Sequence, residues 1–85
     1  MEIFYSPHFK RSFKKLSKNL QENAWRRIEI FRESPFHPSL KTHKLAIENL
    51  WAFSVDFKNR IIFSFIDHSQ ALLVNIGDHS IYRKT

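Results

Sequence analysis

Seven side chains able to move protons or hold anions gather around one stretch of predicted sheet: His43, Lys44, Glu48, Arg60, His79, Tyr82 and Arg83. Imidazole reaches both protonation states near neutrality, since its unperturbed pKa is about 6.5, so histidine suits acid or base work. Guanidinium stays charged and binds two oxygens of one anion at once. An aromatic ring such as that of tyrosine can stack on a base. The set therefore points to proton transfer beside a bound anion. The other histidines, His8 in a first helical turn, His37 in a proline loop and His68 in a hairpin turn, read as surface residues. The chain has no cysteine, which excludes disulfides, thiolate metal sites and thiol nucleophiles. Neither His-x-x-x-His nor an acidic cluster occurs, so no metal site is expected. A single glycine rules against a glycine-rich phosphate loop, and no cofactor is expected.

The elements that must position these residues follow from periodicity. Met1 to Tyr5 reads as a short strand. Ser6-Pro7 reads as an N-cap with proline at the first helical position. Phe9, Phe13, Leu16 and Leu20 then recur at helical steps, with Lys10, Arg11, Lys14, Lys15 and Lys18 around the rest of the arc. A break is predicted at Ser17 to Asn19. A second helix follows from about Leu20 through Ala24, Trp25, Ile28 and Phe31, and Ser34-Pro35 stops it. The two helices should form an antiparallel hairpin. Phe36 to Thr42 reads as a loop.

From Leu50 the period changes to 2. Trp51, Phe53, Val55 and Phe57 alternate with Ala52, Ser54 and Asp56, and Lys58-Asn59 reads as a turn. Arg60 to Ile66 is the next strand, and Ala71 to Ile76 the last, after a turn at Asp67 to Gln70. Short turns between three strands predict an antiparallel meander. The expected fold is α+β, in the order β-α-α-β-β-β, with an antiparallel sheet carrying the helical hairpin on one face. Arg60 shares its face with Ile62 and Ser64, opposite Ile61, Phe63 and Phe65, so it should point to the face that the helices leave open.

The chain has 85 residues, which predicts a single domain over 1–85. Its 42% hydrophobic and 15% aromatic content argues against disorder. Fourteen Lys and Arg against eight Asp and Glu give a net charge of +6, which favours a polyanion or an acidic protein as partner. No segment approaches the roughly 20 apolar residues of a membrane span. Charges at Glu2, Lys10, Arg11, Lys14 and Lys15 interrupt any signal-like run, so a cytoplasmic location is expected.

Three segments carry a resemblance: Ser34 to Leu45 (SPFHPSLKTHKL), Leu50 to Phe65 (LWAFSVDFKNRIIFSF) and Val74 to Arg83 (VNIGDHSIYR). With the element order, they resemble the RelE/ParE toxin superfamily of toxin–antitoxin modules, and within it the RelE/StbE and YafQ-like branches. The resemblance implies a small twisted sheet with two helices on one side. It implies a type II toxin that cleaves mRNA as a metal-independent endoribonuclease, usually on the ribosome, and so inhibits translation. It also implies an antitoxin partner with an acidic C-terminal segment, and contact with operator DNA only through the antitoxin complex.

The resemblance also implies roles. His79, after Gly77-Asp78, corresponds to the catalytic histidine of the YafQ-like Gly-x-His motif, as general acid. Arg60 corresponds to an arginine that clamps the phosphate, although an ion pair with Asp56 or Glu48 is open to it as well. His43 stands near a position that supplies a base, with Glu48 as the substitute. Tyr82 resembles a C-terminal aromatic that stacks on mRNA. Lys44 and Arg83 would contact phosphates, or else be solvated cations. There are departures too. Trp51 and Phe53 stand where RelE-like members carry lysines. Asn75, Val55 and Asn59 replace an arginine, a histidine and an aspartate of the YafQ-like set. Two other readings therefore stay open: a ParE-like inhibitor of DNA gyrase without nuclease activity, and a degenerate toxin that only binds.

Overall fold

A computed structural model describes residues Met1–Asp78, Ser80 and Ile81. Strand β1 (Glu2–Tyr5) leads into helices α1 (Pro7–Lys14) and α2 (Lys18–Glu33). A 3₁₀ turn at Pro38–Leu40 precedes β2 (His43–Lys44), β3 (Trp51–Ser54), β4 (Arg60–Asp67) and β5 (Gln70–Gly77).

Both helices begin on a serine cap. The hydroxyl of Ser6 accepts from Phe9 N at 2.9 Å, and that of Ser17 from Leu20 N at 3.2 Å. Each cap satisfies a backbone donor that the helix cannot, worth about 1 kcal/mol. Capped by Ser17, α2 starts at Lys18, two residues before the predicted Leu20, because a capped first turn needs no apolar residue. The helices touch through Phe13 and Trp25, with centroids 5.1 Å apart, and through Gln21 Nε2, which donates to Phe13 O at 3.0 Å.

The sheet order is β1-β5-β4-β3-β2. The meander β3-β4-β5 is antiparallel as expected, and β1 adds to it parallel to β5, with Ile3 opposite Ala71. The helices and the three intervening strands between them make the long connection that a parallel pair requires. A bulge in β5 leaves Val74 without an opposite residue, since Ile62 faces Asn75 while Phe63 faces Leu73. It brings Leu73 and Ile76 onto the same, helix-facing side although they are three residues apart.

That side carries the core. Phe9, Ala24, Ile28 and Phe31 from the helices meet Phe53, Ile61, Phe63, Ala71 and Leu73 from the sheet. Phe31 stacks on Phe53 at 4.7 Å and meets Phe63 edge-on at 4.7 Å. Each such buried ring contributes about 1.5–3 kcal/mol by removal from water. One aromatic departs from the alternation. Phe57, predicted to share a face with Trp51 and Phe53, is 90% exposed. Strand β3 ends at Ser54, and the Asp56 carboxylate closes the turn by accepting from Lys58 N at 2.9 Å and Asn59 N at 2.7 Å. Such Asx turns override strand periodicity.

Among the described residues, no helix is long and apolar enough to cross a membrane.

Candidate active site

Cross-strand partners share a face of a sheet, so the register assigns each candidate. His43 pairs with Ala52, Ala52 with Ile62, and Ile62 with Asn75. The next row towards the β3–β4 turn is Ser54, Arg60 and Gly77. Both rows lie on the side away from the helices. His43 and Arg60 thus occupy one face, with Cα atoms about 12 Å apart from strand spacing and rise. Long side chains can converge across that span on one bound group.

This face is not bare. Ala52 and Ile62 are fully buried, and Ser54 and Asn75 nearly so. Ile81, 6% exposed, lies directly against Gly77. A site here is a partly lined recess rather than an open plane.

His43 itself is exposed, and its Nδ1 lies 2.9 Å from the carbonyl oxygen of Lys41. A carbonyl only accepts, so this bond places the ring proton on Nδ1. In the neutral ring Nε2 is then left with its lone pair, which is what a general base needs. The loop that makes the bond is set by Lys41, whose φ of 52° is left-handed. Residues 43–44, expected only to flank the sheet, form the two-residue edge strand that fixes the ring's face.

Arg60 is half-buried. Its Nη1 donates to the carbonyls of Asp56 at 2.6 Å and Asn59 at 3.0 Å, so the guanidinium braces the β3–β4 turn. Its charge meets the Asp56 carboxylate only as a neighbour. Burial pushes the Asp56 carboxyl up, but the N–H groups of Asn59 and Lys58, the Asn59 amide and the Arg60 charge outweigh it and hold it below its ordinary value.

Lys44 and Glu48 stand apart from these two. Lys44 pairs with Trp51 on the opposite face, its Nζ 5.8 Å from the indole centroid. Glu48 is exposed in the β2–β3 connection, beside Asn49 with a φ of 65°. His79, Tyr82 and Arg83 lie outside the described residues. Asp78 and Ser80, which bracket position 79, line a groove with His8, Ser12 and Lys15 of the α1 region and with Asn59 and Asn75.

The periodicity reading missed Arg27. From α2 its Nε donates to Val55 O at 3.1 Å and its Nη1 to Ser39 Oγ at 3.1 Å. It ties α2 to the start of the β3–β4 turn and to the loop ahead of His43. Only its place on the inner arc of α2, two turns before Glu33, distinguished it in sequence. Among the described residues, no three His, Asp or Glu side chains are grouped as metal ligands.

No protein-family model and no curated protein matches the sequence. Solved structures do match. YafQ from Escherichia coli superposes with a TM-score of 0.77 at 15% identity, over 95% of this chain and 96% of that one. A YoeB/ParE toxin from Agrobacterium tumefaciens gives 0.76 at 12% identity, over 93% and 99%. RelE in the RelB–RelE antitoxin–toxin complex from Methanococcus jannaschii gives 0.75 at 14% identity, over 95% and 96%. Identities this low carry the backbone and not the side chains. The chain has the fold of the RelE/ParE toxins.

Proposed function

We propose that the protein is the toxin of a type II toxin–antitoxin pair and acts as a metal-independent mRNA endoribonuclease. The observation that carries this is His43, whose carbonyl-fixed tautomer leaves the lone pair on Nε2, on the same sheet face as Arg60 in a RelE-type fold. In the reaction, Nε2 of His43 takes the proton of a ribose 2′-hydroxyl. The 2′-oxygen attacks the adjacent phosphorus, and the bond to the 5′-oxygen breaks, leaving a 2′,3′-cyclic phosphate. Arg60 neutralises the charge that builds on the phosphoryl oxygens, with the guanidinium nitrogens that the turn does not use. His79 protonates the departing 5′-oxygen, and Tyr82 stacks on a neighbouring base. Each proton transfer contributes about 10²–10⁴-fold. Lys44, held against Trp51, and Arg83 serve at most as distant phosphate contacts, and Glu48 is the base in place of His43 if cuts persist in His43→Gln.

The substrate is mRNA on the ribosome, so cleavage stops translation in the cytoplasm. The M. jannaschii RelE neighbour is in complex with an antitoxin, and a chain with net charge +6 suits an acidic antitoxin segment. Operator DNA would be reached only through that complex.

The brace between Arg60 and the turn carbonyls favours a second reading, in which the arginine is purely structural and the chain is a ParE-like gyrase inhibitor or binds without cutting. One experiment separates them. The protein is induced in cells and RNA 5′ ends are mapped. Cuts within codons that vanish in His43→Gln and His79→Ala, and persist in Lys44→Gln, support the nuclease. Gyrase-linked DNA breaks without mRNA cuts, or no growth arrest, refute it.

A further inference from the structure

Each of the two groups that share the sheet face is held by carbonyls outside the sheet. Nδ1 of His43 donates to Lys41 O, ahead of β2, and Nη1 of Arg60 donates to Asp56 O and Asn59 O, in the β3–β4 turn. Strand β2 has only two residues, and residues 55–59 lie between β3 and β4, so the strand ladder sets none of these carbonyls. The spacing of imidazole and guanidinium therefore depends on how the two connections sit against each other.

Arg27 of α2 donates to both. Its Nε reaches Val55 O at 3.1 Å, one residue before the Asp56 carbonyl that Arg60 holds. Its Nη1 reaches Ser39 Oγ at 3.1 Å, in the 3₁₀ turn just ahead of Lys41. Ser39 is itself aligned. Its N–H donates to Nδ1 of His37 at 3.1 Å, so that nitrogen bears no proton, and the Ser39 hydroxyl gives its hydrogen to the same nitrogen at 2.8 Å. The lone pairs of Oγ are left to Arg27. Lys41 N donates to Pro38 O at 3.2 Å and so ties the carbonyl that faces His43 to this 3₁₀ turn. Leu40, fully buried, also anchors the turn, but apolar burial has no direction, whereas a hydrogen bond fixes an angle. A planar guanidinium, with its donors in a rigid fork, suits two acceptors that lie in different directions.

We propose that Arg27 is a positioning residue: by holding the β3–β4 turn and the loop ahead of β2 together, it sets the imidazole of His43 against the guanidinium of Arg60. It acts through the two connections and not on the substrate. The inference rests on the nuclease reading above and deepens it, since it makes α2 part of what spaces the base from the phosphate clamp.

The test reads geometry and rate separately. Geometry is read from the ¹⁵N shifts of the His43 ring at a pH where it is neutral, and the wild type should show the Nδ1–H tautomer. Arg27→Met, of similar length and without donors, should free the Lys41 carbonyl and give the mixture of tautomers that a solvated ring shows. Ser39→Ala, which leaves Arg27 its charge and its bond to Val55, should do the same, and it carries the test if Arg27→Met does not fold. The double variant should be no worse than the worse single one, because both changes cut one link. Rate is read from single-turnover cleavage of mRNA on programmed ribosomes. At saturation it should fall about 10- to 100-fold in Arg27→Met with the half-saturating concentration unchanged, since a displacement of about 1 Å costs up to about 10²-fold and binding is untouched. Ser17→Ala removes the cap of α2 and touches neither connection, so it should lower the melting temperature and change neither readout. The positioning role is overturned if the His43 tautomer is the same in the wild type, Arg27→Met and Ser39→Ala, if Ser17→Ala loses as much rate as Arg27→Met, or if Arg27→Met cuts as fast as a wild type that cuts. A wild type that cuts no RNA overturns the nuclease reading instead, whatever the tautomer does.

Discussion

Gly77→Ala tests how the chain's sole glycine seats the segment that leads to His79. Gly77 lies on β5 opposite Arg60, and its φ is not positive, so alanine suits its backbone. An added Cβ would stand 2.5 Å from Cγ2 of Ile81. Carbon atoms prefer about 3.5–4.0 Å, so the pair would be roughly 1 Å too close. Cγ2 sits on a branched carbon next to the backbone and cannot swing clear without a change of rotamer or of main chain. If Ile81 stays, overpacking costs about 1–3 kcal/mol. If it leaves, nearly all its burial is lost, about 1.5–3 kcal/mol. Alanine returns about 0.5–1 kcal/mol through the stiffer unfolded chain. The net loss is about 1–2 kcal/mol, which for a domain of this size lowers Tm by about 5–15 °C.

The assay is a double-mutant cycle by urea unfolding with Ile81→Ala. Once Ile81 is shortened, the clash is gone, and Gly77→Ala should become neutral or slightly stabilising. An equal loss in both backgrounds would show that the clash with Ile81 is not the cause. RNA cleavage by the single mutant should fall more than its stability does, since the shifted turn begins at Asp78 and precedes His79.

Ser6→Ala should cost about 1–3 kcal/mol in urea unfolding, because Ser6 Oγ both caps α1 and donates to Val74 O at the bulge, at 2.9 Å. Ser6→Asp keeps the cap acceptor but turns a carboxylate toward the Val74 carbonyl, so it should recover little of the loss; full recovery would mean that the Val74 bond contributes nothing. The Asp56 carboxyl is held below its ordinary value of 3.8, so the folded state favours the carboxylate. Its stabilisation is complete above that value and is lost as pH falls through the lower folded-state value. Melting curves of the wild type and Asp56→Asn should therefore differ near neutrality and converge in acid, and curves that stay parallel would remove the Asx turn as the cause.

Local chemistry was readable along the chain. Ser6 caps α1, as Ser6-Pro7 predicts, because a hydroxyl and a neighbouring amide need no distant partner; Ser17, which falls in the predicted break, caps α2 in the same way. Alternation put Arg60 with Ile62 and Ser64 and across from Phe63, and the register agrees. Alternation failed at Phe57, where a side-chain carboxylate two atoms from the backbone ended the strand. What needed the tertiary structure is non-local. Nothing near Met1 to Tyr5 specifies a parallel partner some 70 residues away, and nothing near Val74 specifies a bulge, because both are set by which strand lies alongside. The same holds for His43 and Lys44. Adjacent in sequence, they fall on opposite faces once residues 43–44 pair with β3, and that pairing alone makes one a neighbour of Arg60's face and the other a cover for Trp51. Residue type fixed which chemistry was on offer; strand pairing decided which side chains can share a substrate.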